Sequence, residues 1–212
     1  MEILKNIINF VLHIDKNLLV ITQTYGTLSY GILAAVIFAE TGLVVTPFLP
    51  GDSLLFAAGA LAAIGAFNVV GLYFLILVAV FFGDNCNYWI GRIIGEKIFE
   101  SNNKLIKREY LEKTQNFYAK YGTKAVILAR FVPIVRTCAP FVAGVGKMYY
   151  GKFLVFSIIG SLLWVSLFIF GGYFLGNVPI IKNNFHYTVI LIIAVSLVPI
   201  MVEILKAKVS KK

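Results

Sequence analysis

No lysine or arginine occurs between Lys16 and Arg92, and no charge of either sign occurs from Phe153 to Ile181. A helix needs about 20 apolar residues to cross the ~30 Å hydrocarbon core of a bilayer, and both stretches exceed that. A water-facing surface cannot be built from such runs. Composition agrees: only 14% of the 212 residues are charged, against about 25% in a soluble domain. The chain is therefore expected to be an all-α polytopic membrane protein.

The formal net charge of +9 does not indicate nucleic acid. The cations form blocks that flank apolar segments, with no recognition motif or interleaved aromatic platform. The two cysteines, Cys86 and Cys138, are far apart, and His13 and His186 stand at no usual ligand spacing from them. Neither a metal nor a cofactor is expected.

Proline, glycine and charge divide the chain. Residues 1–24 carry a polar stripe (Glu2, Lys5, Asn6, Asn9, His13, Lys16) at helical spacing, which predicts a helix lying in the membrane interface. A first span is expected over 27–46. The 31 uncharged residues from Ser53 to Gly83 are too many for one crossing and too few for two. With Pro47, Pro50 and Gly51 just before them, they read as a re-entrant hairpin over about 47–66 and a full span over 69–90. Non-helical backbone at this depth needs protein or a polar cavity to satisfy it. Residues 92–124 hold eight cations and four acids among Phe99, Leu105, Ile106, Tyr110, Phe117 and Tyr118, and form a basic, amphipathic cytoplasmic segment. Residues 125–146 are apolar but interrupted by Pro133 and Pro140. Spans over 153–176 and 188–205 follow, the second within a final segment 186–206 that leads into a basic tail.

Two repeats emerge, 27–91 and 125–178, each with a broken, charge-bearing segment and an uninterrupted span, all within one membrane domain. Lys- and Arg-rich loops stay cytoplasmic. The middle segment and the tail then lie on the same side, both termini are cytoplasmic, and the repeats are inverted, as in many secondary transporters.

Four charges fall in the broken segments: Glu40 and Asp52 in the first, Arg130 and Arg136 in the second. An unpaired charge at the bilayer centre costs about 2.5–3.5 kcal/mol on insertion scales. Two acids and two cations should therefore face inward and meet. They act either as ionic glue between the repeats or as a binding site. The planar fork of arginine suits phosphate, and the acids are candidate proton carriers. Asp84 and Tyr88 stand one helical turn apart, positioned for an Asp–Tyr hydrogen bond or a part in the site. Gly83 and Gly91 beside them allow close helix approach. Thr137, next to Arg136, is placed to bond a freed carbonyl or a phosphate. Trp89 and Trp164 read as interface or packing residues.

Three segments carry a resemblance: ETGLVVTPFLPGD (Glu40 to Asp52), GDNCNYWIGR (Gly83 to Arg92) and RFVPIVRTCAPFVAG (Arg130 to Gly144). In order and spacing they resemble the signature segments of the DedA family, within the wider group sharing the SNARE-associated or VTT domain. The resemblance spans roughly residues 27 to 180. It implies two inverted re-entrant segments and transport of a lipid phosphate between leaflets, undecaprenyl phosphate or a phospholipid, in a bacterial cytoplasmic (inner) membrane, with proton dependence in some members. It also implies that the acids required for function are Glu40 and Asp52 and the required arginines Arg130 and Arg136.

Other classes fit less well. No G-x-S-x-G, H-E-x-x-H or paired-His site is present, so an enzyme is not expected. A proton-coupled exporter of small molecules or cations needs only Glu40 and Asp52, and leaves the two arginines unexplained. A purely structural organiser would tolerate charge-swapped pairs. The expected partners are membrane lipids, a lipid-phosphate substrate and protons, with self-association left open.

Overall fold

A computed structural model describes residues 22, 24–43, 51–100, 116, 118, 119 and 121–178. The expected interfacial helix before residue 22, the Pro47 and Pro50 break, most of 101–120 and the last span lie outside the described residues. Among the described residues every element is helical. We label the helices α1 (Leu28–Gly42), α2 (Gly51–Ala63), α3 (Val69–Glu100), α4 (Ala125–Ala129), α5 (Pro133–Val145) and α6 (Tyr150–Gly176).

Two of them are long and apolar enough to cross a membrane: Val69–Ile93 within α3, mean hydropathy 2.0, and α6, mean hydropathy 2.5. Three boundaries differ from expectation. The first helix has 15 residues and ends at Gly42, short of the 20 expected. α3 does not stop near Ile90 but continues to Glu100, because residues 92–100 contain no proline and several good helix formers. Pro140 does not interrupt its segment: it lies inside α5, and only the break before Pro133 is real.

The chain divides into two compact units. One comprises Met1–Gly31, Pro50–Tyr73 and Ser166–Lys212. Here α2, buried along nearly its whole length, lies against the end of α6 with backbone meeting backbone. A Cβ on Gly176 would come within 2.9 Å of the Ala60 Cα. α2 closes in a Schellman motif: Gly65, at φ +85°, bonds the Ala62 carbonyl and Ala66 bonds that of Leu61. Asn68 then caps α3 by accepting from the Gly71 amide at 2.9 Å.

The other unit comprises Ile32–Leu49 and Phe74–Val165. α5 ends in the same way as α2. Lys147 bonds the Gly144 carbonyl and Met148 that of Ala143, with Lys147 in the left-handed region at φ +52°. The basic segment is tied to this unit by Tyr118, whose hydroxyl donates to the Ala139 carbonyl at 3.0 Å. Burial raises the Tyr118 phenol above the usual tyrosine range, so it stays a neutral donor.

Candidate functional site

The site begins with a broken helix in the second unit. Val132 precedes a proline, which drives it out of the α region to φ −117°, ψ 106°. Pro133 then opens α5, where its missing N–H is no loss. Arg130 therefore closes α4 and Arg136 sits in the first turn of α5, its amide bonded to the Val132 carbonyl at 2.8 Å.

Both guanidiniums turn into protein. Arg130 is 5% exposed, Arg136 8%, Glu40 1% and Asp84 3%, so four charges are held away from solvent. Arg136 Nη2 donates to Glu40 Oε1 at 2.5 Å. Arg130 pairs with Asp84, and Ser157 joins that pair. Its hydroxyl donates to Asp84 Oδ2 at 2.5 Å and lies 3.2 Å from Arg130 Nη2.

Glu40 and Arg136 meet, as the charge balance predicted. Arg130 instead takes its acid from α3. Asp84 consequently does not bond Tyr88, which corrects the Asp–Tyr expectation: in a low-dielectric interior a charged pair outweighs a bond to a neutral phenol. The Tyr88 hydroxyl donates to the Met148 carbonyl at 2.5 Å and accepts from Arg92 at 2.7 Å. Asp52 lies in the first turn of α2, within the other unit, where an acid suits the positive end of the helix dipole. Gly51 is the first residue of α2. Pro140, inside α5, has no N–H to return to the Arg136 carbonyl.

The wall facing the arginines belongs to α6. Ser157, Gly160 and Trp164 follow one stripe at three- and four-residue spacing. A Cβ on Gly160 would fall 2.9 Å from both Cδ and Nε of Arg130. The Arg136 guanidinium lies over the Trp164 ring at 4.9 Å, a cation–π geometry. Close approach is also enforced on α3. Gly83 faces Thr41 and Gly42, and a Cβ on Gly91 would come 2.9 Å from the Phe141 carbonyl carbon.

Asn87 completes the arrangement. It is fully buried, and its amide nitrogen donates to the carbonyls of Thr41 and Thr137, each at 2.9 Å. Those carbonyls belong to the residues following Glu40 and Arg136. Asn87, Ser157, Gly160 and Trp164 were not among the expected site residues. The signal was present for Asn87, three residues after Asp84, and for the α6 stripe in its spacing.

No group of three or more His, Cys, Asp or Glu that could hold a metal occurs among the described residues. What the arrangement offers is guanidinium donors, each balanced by a carboxylate, at a helix break. Such donors can exchange a carboxylate for another oxyanion.

Residues 49–174 match the VTT domain. Protein DedA of Escherichia coli is 51% identical over 211 residues, covering 98% of this chain and 96% of that protein. An uncharacterized membrane protein of Mycobacterium tuberculosis is 44% identical over 172 residues, covering 79% and 75%. Inner membrane protein YqjA of Escherichia coli is 32% identical over 181 residues, covering 85% and 82%. No solved structure matches. With the matched domain covering more than half the chain and a relative aligned over nearly all of it, this chain is a membrane protein of the DedA family, built around a VTT domain.

Proposed function

We propose that the protein moves a lipid phosphate between bilayer leaflets, without covalent chemistry, in a bacterial inner membrane. The observation that carries this reading is the pair of buried arginines flanking the Phe131–Val132 break, each held by a carboxylate. A guanidinium committed to a carboxylate is a phosphate site in waiting, because both anions use the same bidentate geometry. The route is proton-coupled: when a phosphate displaces Glu40 or Asp84, protonating the released acid restores neutrality in the low-dielectric core. Asp52 has the same capacity through its own carboxyl. Undecaprenyl phosphate is the first substrate to test, on the strength of the family resemblance.

The architecture we assign is a pair of inverted repeats with re-entrant segments and both termini cytoplasmic. Its support is local. α2 and α5 each have 13 residues, each ends in a Schellman turn, and each leads within six residues into a long apolar helix.

The test is reconstitution of the full chain with a fluorescently labelled polyprenyl phosphate, following leaflet exchange with and without a pH gradient. Exchange should exceed that of protein-free vesicles and respond to the gradient. Exchange at the protein-free rate under both conditions overturns the reading.

A further inference from the structure

Among the buried polar atoms of the second unit that make no hydrogen bond among the described residues, two of opposite kind belong to Arg130 and Asn87. Arg130 Nε is a buried donor with no acceptor, and Asn87 Oδ1 is a buried acceptor with no donor. Buried polar groups left unsatisfied are uncommon enough that each calls for a physical reason. The Asn87 amide orientation is fixed by chemistry. Its nitrogen faces two carbonyl oxygens, and a flipped amide would set its oxygen against both of them. The oxygen must therefore point away from Thr41 and Thr137 and find a donor elsewhere.

The position of that oxygen limits the donor. Asn87 stands three residues from Asp84 on α3, so both project from one face. Its nitrogen is anchored at the carbonyls adjoining Glu40 and Arg136. A metal cation would be repelled by two buried guanidiniums. A carboxylate or a fully ionised phosphate accepts but does not donate. A phosphate monoester bearing one proton does both: its anionic oxygens accept from arginine, and its P–OH donates to an amide oxygen.

We infer that Asn87 is a specificity-determining residue that reads the P–OH of a singly protonated lipid phosphate monoester. This rests on the lipid-phosphate reading above and narrows it. The lipid then carries a proton on its own headgroup, in addition to any taken up by Glu40 or Asp84. Diesters of the same charge are rejected because they leave the Asn87 oxygen without its donor. A site built around one buried hydrogen bond discriminates strongly against the analogue lacking it.

The probe is a polyprenyl phosphate compared with its methyl ester. Both can present one negative charge, but the ester has no P–OH. In proteoliposomes of the full chain, the wild-type protein should exchange the phosphate at least about tenfold faster than the methyl ester. Asn87→Ala should bring that ratio close to one, whatever it does to the absolute rates, which a purely structural role would lower together. Asn87→Asp is isosteric, keeps an acceptor and loses both donors. It should slow both lipids while preserving the ratio, and it serves if the alanine variant does not fold. Equal wild-type rates for the two lipids overturn the inference and leave the lipid-phosphate reading standing. A wild-type ratio that survives Asn87→Ala, or is lost in Asn87→Asp, also overturns it. Exchange of neither lipid overturns both.

Discussion

Removing the charge at Asp84 should expose what holds Arg130 in the protein. The Asp84 carboxylate accepts from both Arg130 and the Ser157 hydroxyl. Asp84→Asn keeps one acceptor oxygen but leaves a cation 5% exposed with only the Ser157 oxygens beside it, at 3.2 and 3.5 Å. Breaking one side of a buried pair costs about 3–5 kcal/mol, and the retained acceptor places this case near the lower end. A double-mutant cycle separates the pair from general damage: Asp84→Asn, Arg130→Gln and the double variant, unfolded by denaturant titration in detergent micelles. Interaction energies of contacting residues run to about 3 kcal/mol, whereas a hydrogen bond between membrane helices averages about 0.6 kcal/mol. We expect a coupling of about 2–3 kcal/mol, with the double variant more stable than the sum of the singles implies. A coupling at or below about 0.6 kcal/mol would refute the reasoning, because Arg130 would then be compensated by something other than Asp84.

Three further outcomes are expected. Gly91→Ala sets a methyl group against the Phe141 backbone, which cannot change rotamer to escape, so stability in detergent should fall by about 1–3 kcal/mol; an unchanged melting curve contradicts the helix approach. Lys147→Gly relieves a left-handed residue and should stabilise the protein by about 1 kcal/mol, read from the same titration, with no gain arguing against that turn. Arg136→Lys keeps the charge but loses the planar guanidinium that donates to Glu40 and lies over Trp164, so lipid-phosphate exchange should drop more than about tenfold; a wild-type rate in folded protein would make the residue simple ionic glue.

The sequence made some of this legible, and physics explains the division. Charge balance was enough to bring Glu40 and Arg136 together, since neither can be buried alone. It was not enough to find the partner of Arg130. Asp84 and Tyr88 stand at helical spacing, and spacing within one helix says nothing of a cation arriving from another. Pro140 looked like a break equal to Pro133, yet a helix tolerates the loss of one backbone donor where surrounding protein packs around it. Val132 shows why Pro133 differs: the residue before that proline leaves the helical region, so the chain opens there. Asn87 showed only its spacing from Asp84, because the sequence does not show which two backbone carbonyls its amide reaches.

The most informative stretch turns out to be the one with no charge in it. From Phe153 onward α6 lies in the charge-free run that first marked the chain as membrane-bound, and by composition that part is only a greasy span. Along one stripe, however, it meets two guanidiniums with three different chemistries. Ser157 supplies a hydroxyl that bonds both members of one ion pair. Gly160 supplies the absence of a side chain where the Arg130 stem passes, and Trp164 supplies a π face to Arg136. Each is specific to its position: a larger residue at 160 displaces Arg130, and an aliphatic residue at 164 takes the quadrupole from beneath Arg136. Two arginines can stay charged in this interior because their acids neutralise them and because the uncharged part of α6 is shaped to receive them. The acids alone would satisfy Coulomb's law without fixing where the guanidiniums point, and under the proposed function it is their direction that would let a helix break receive an oxyanion.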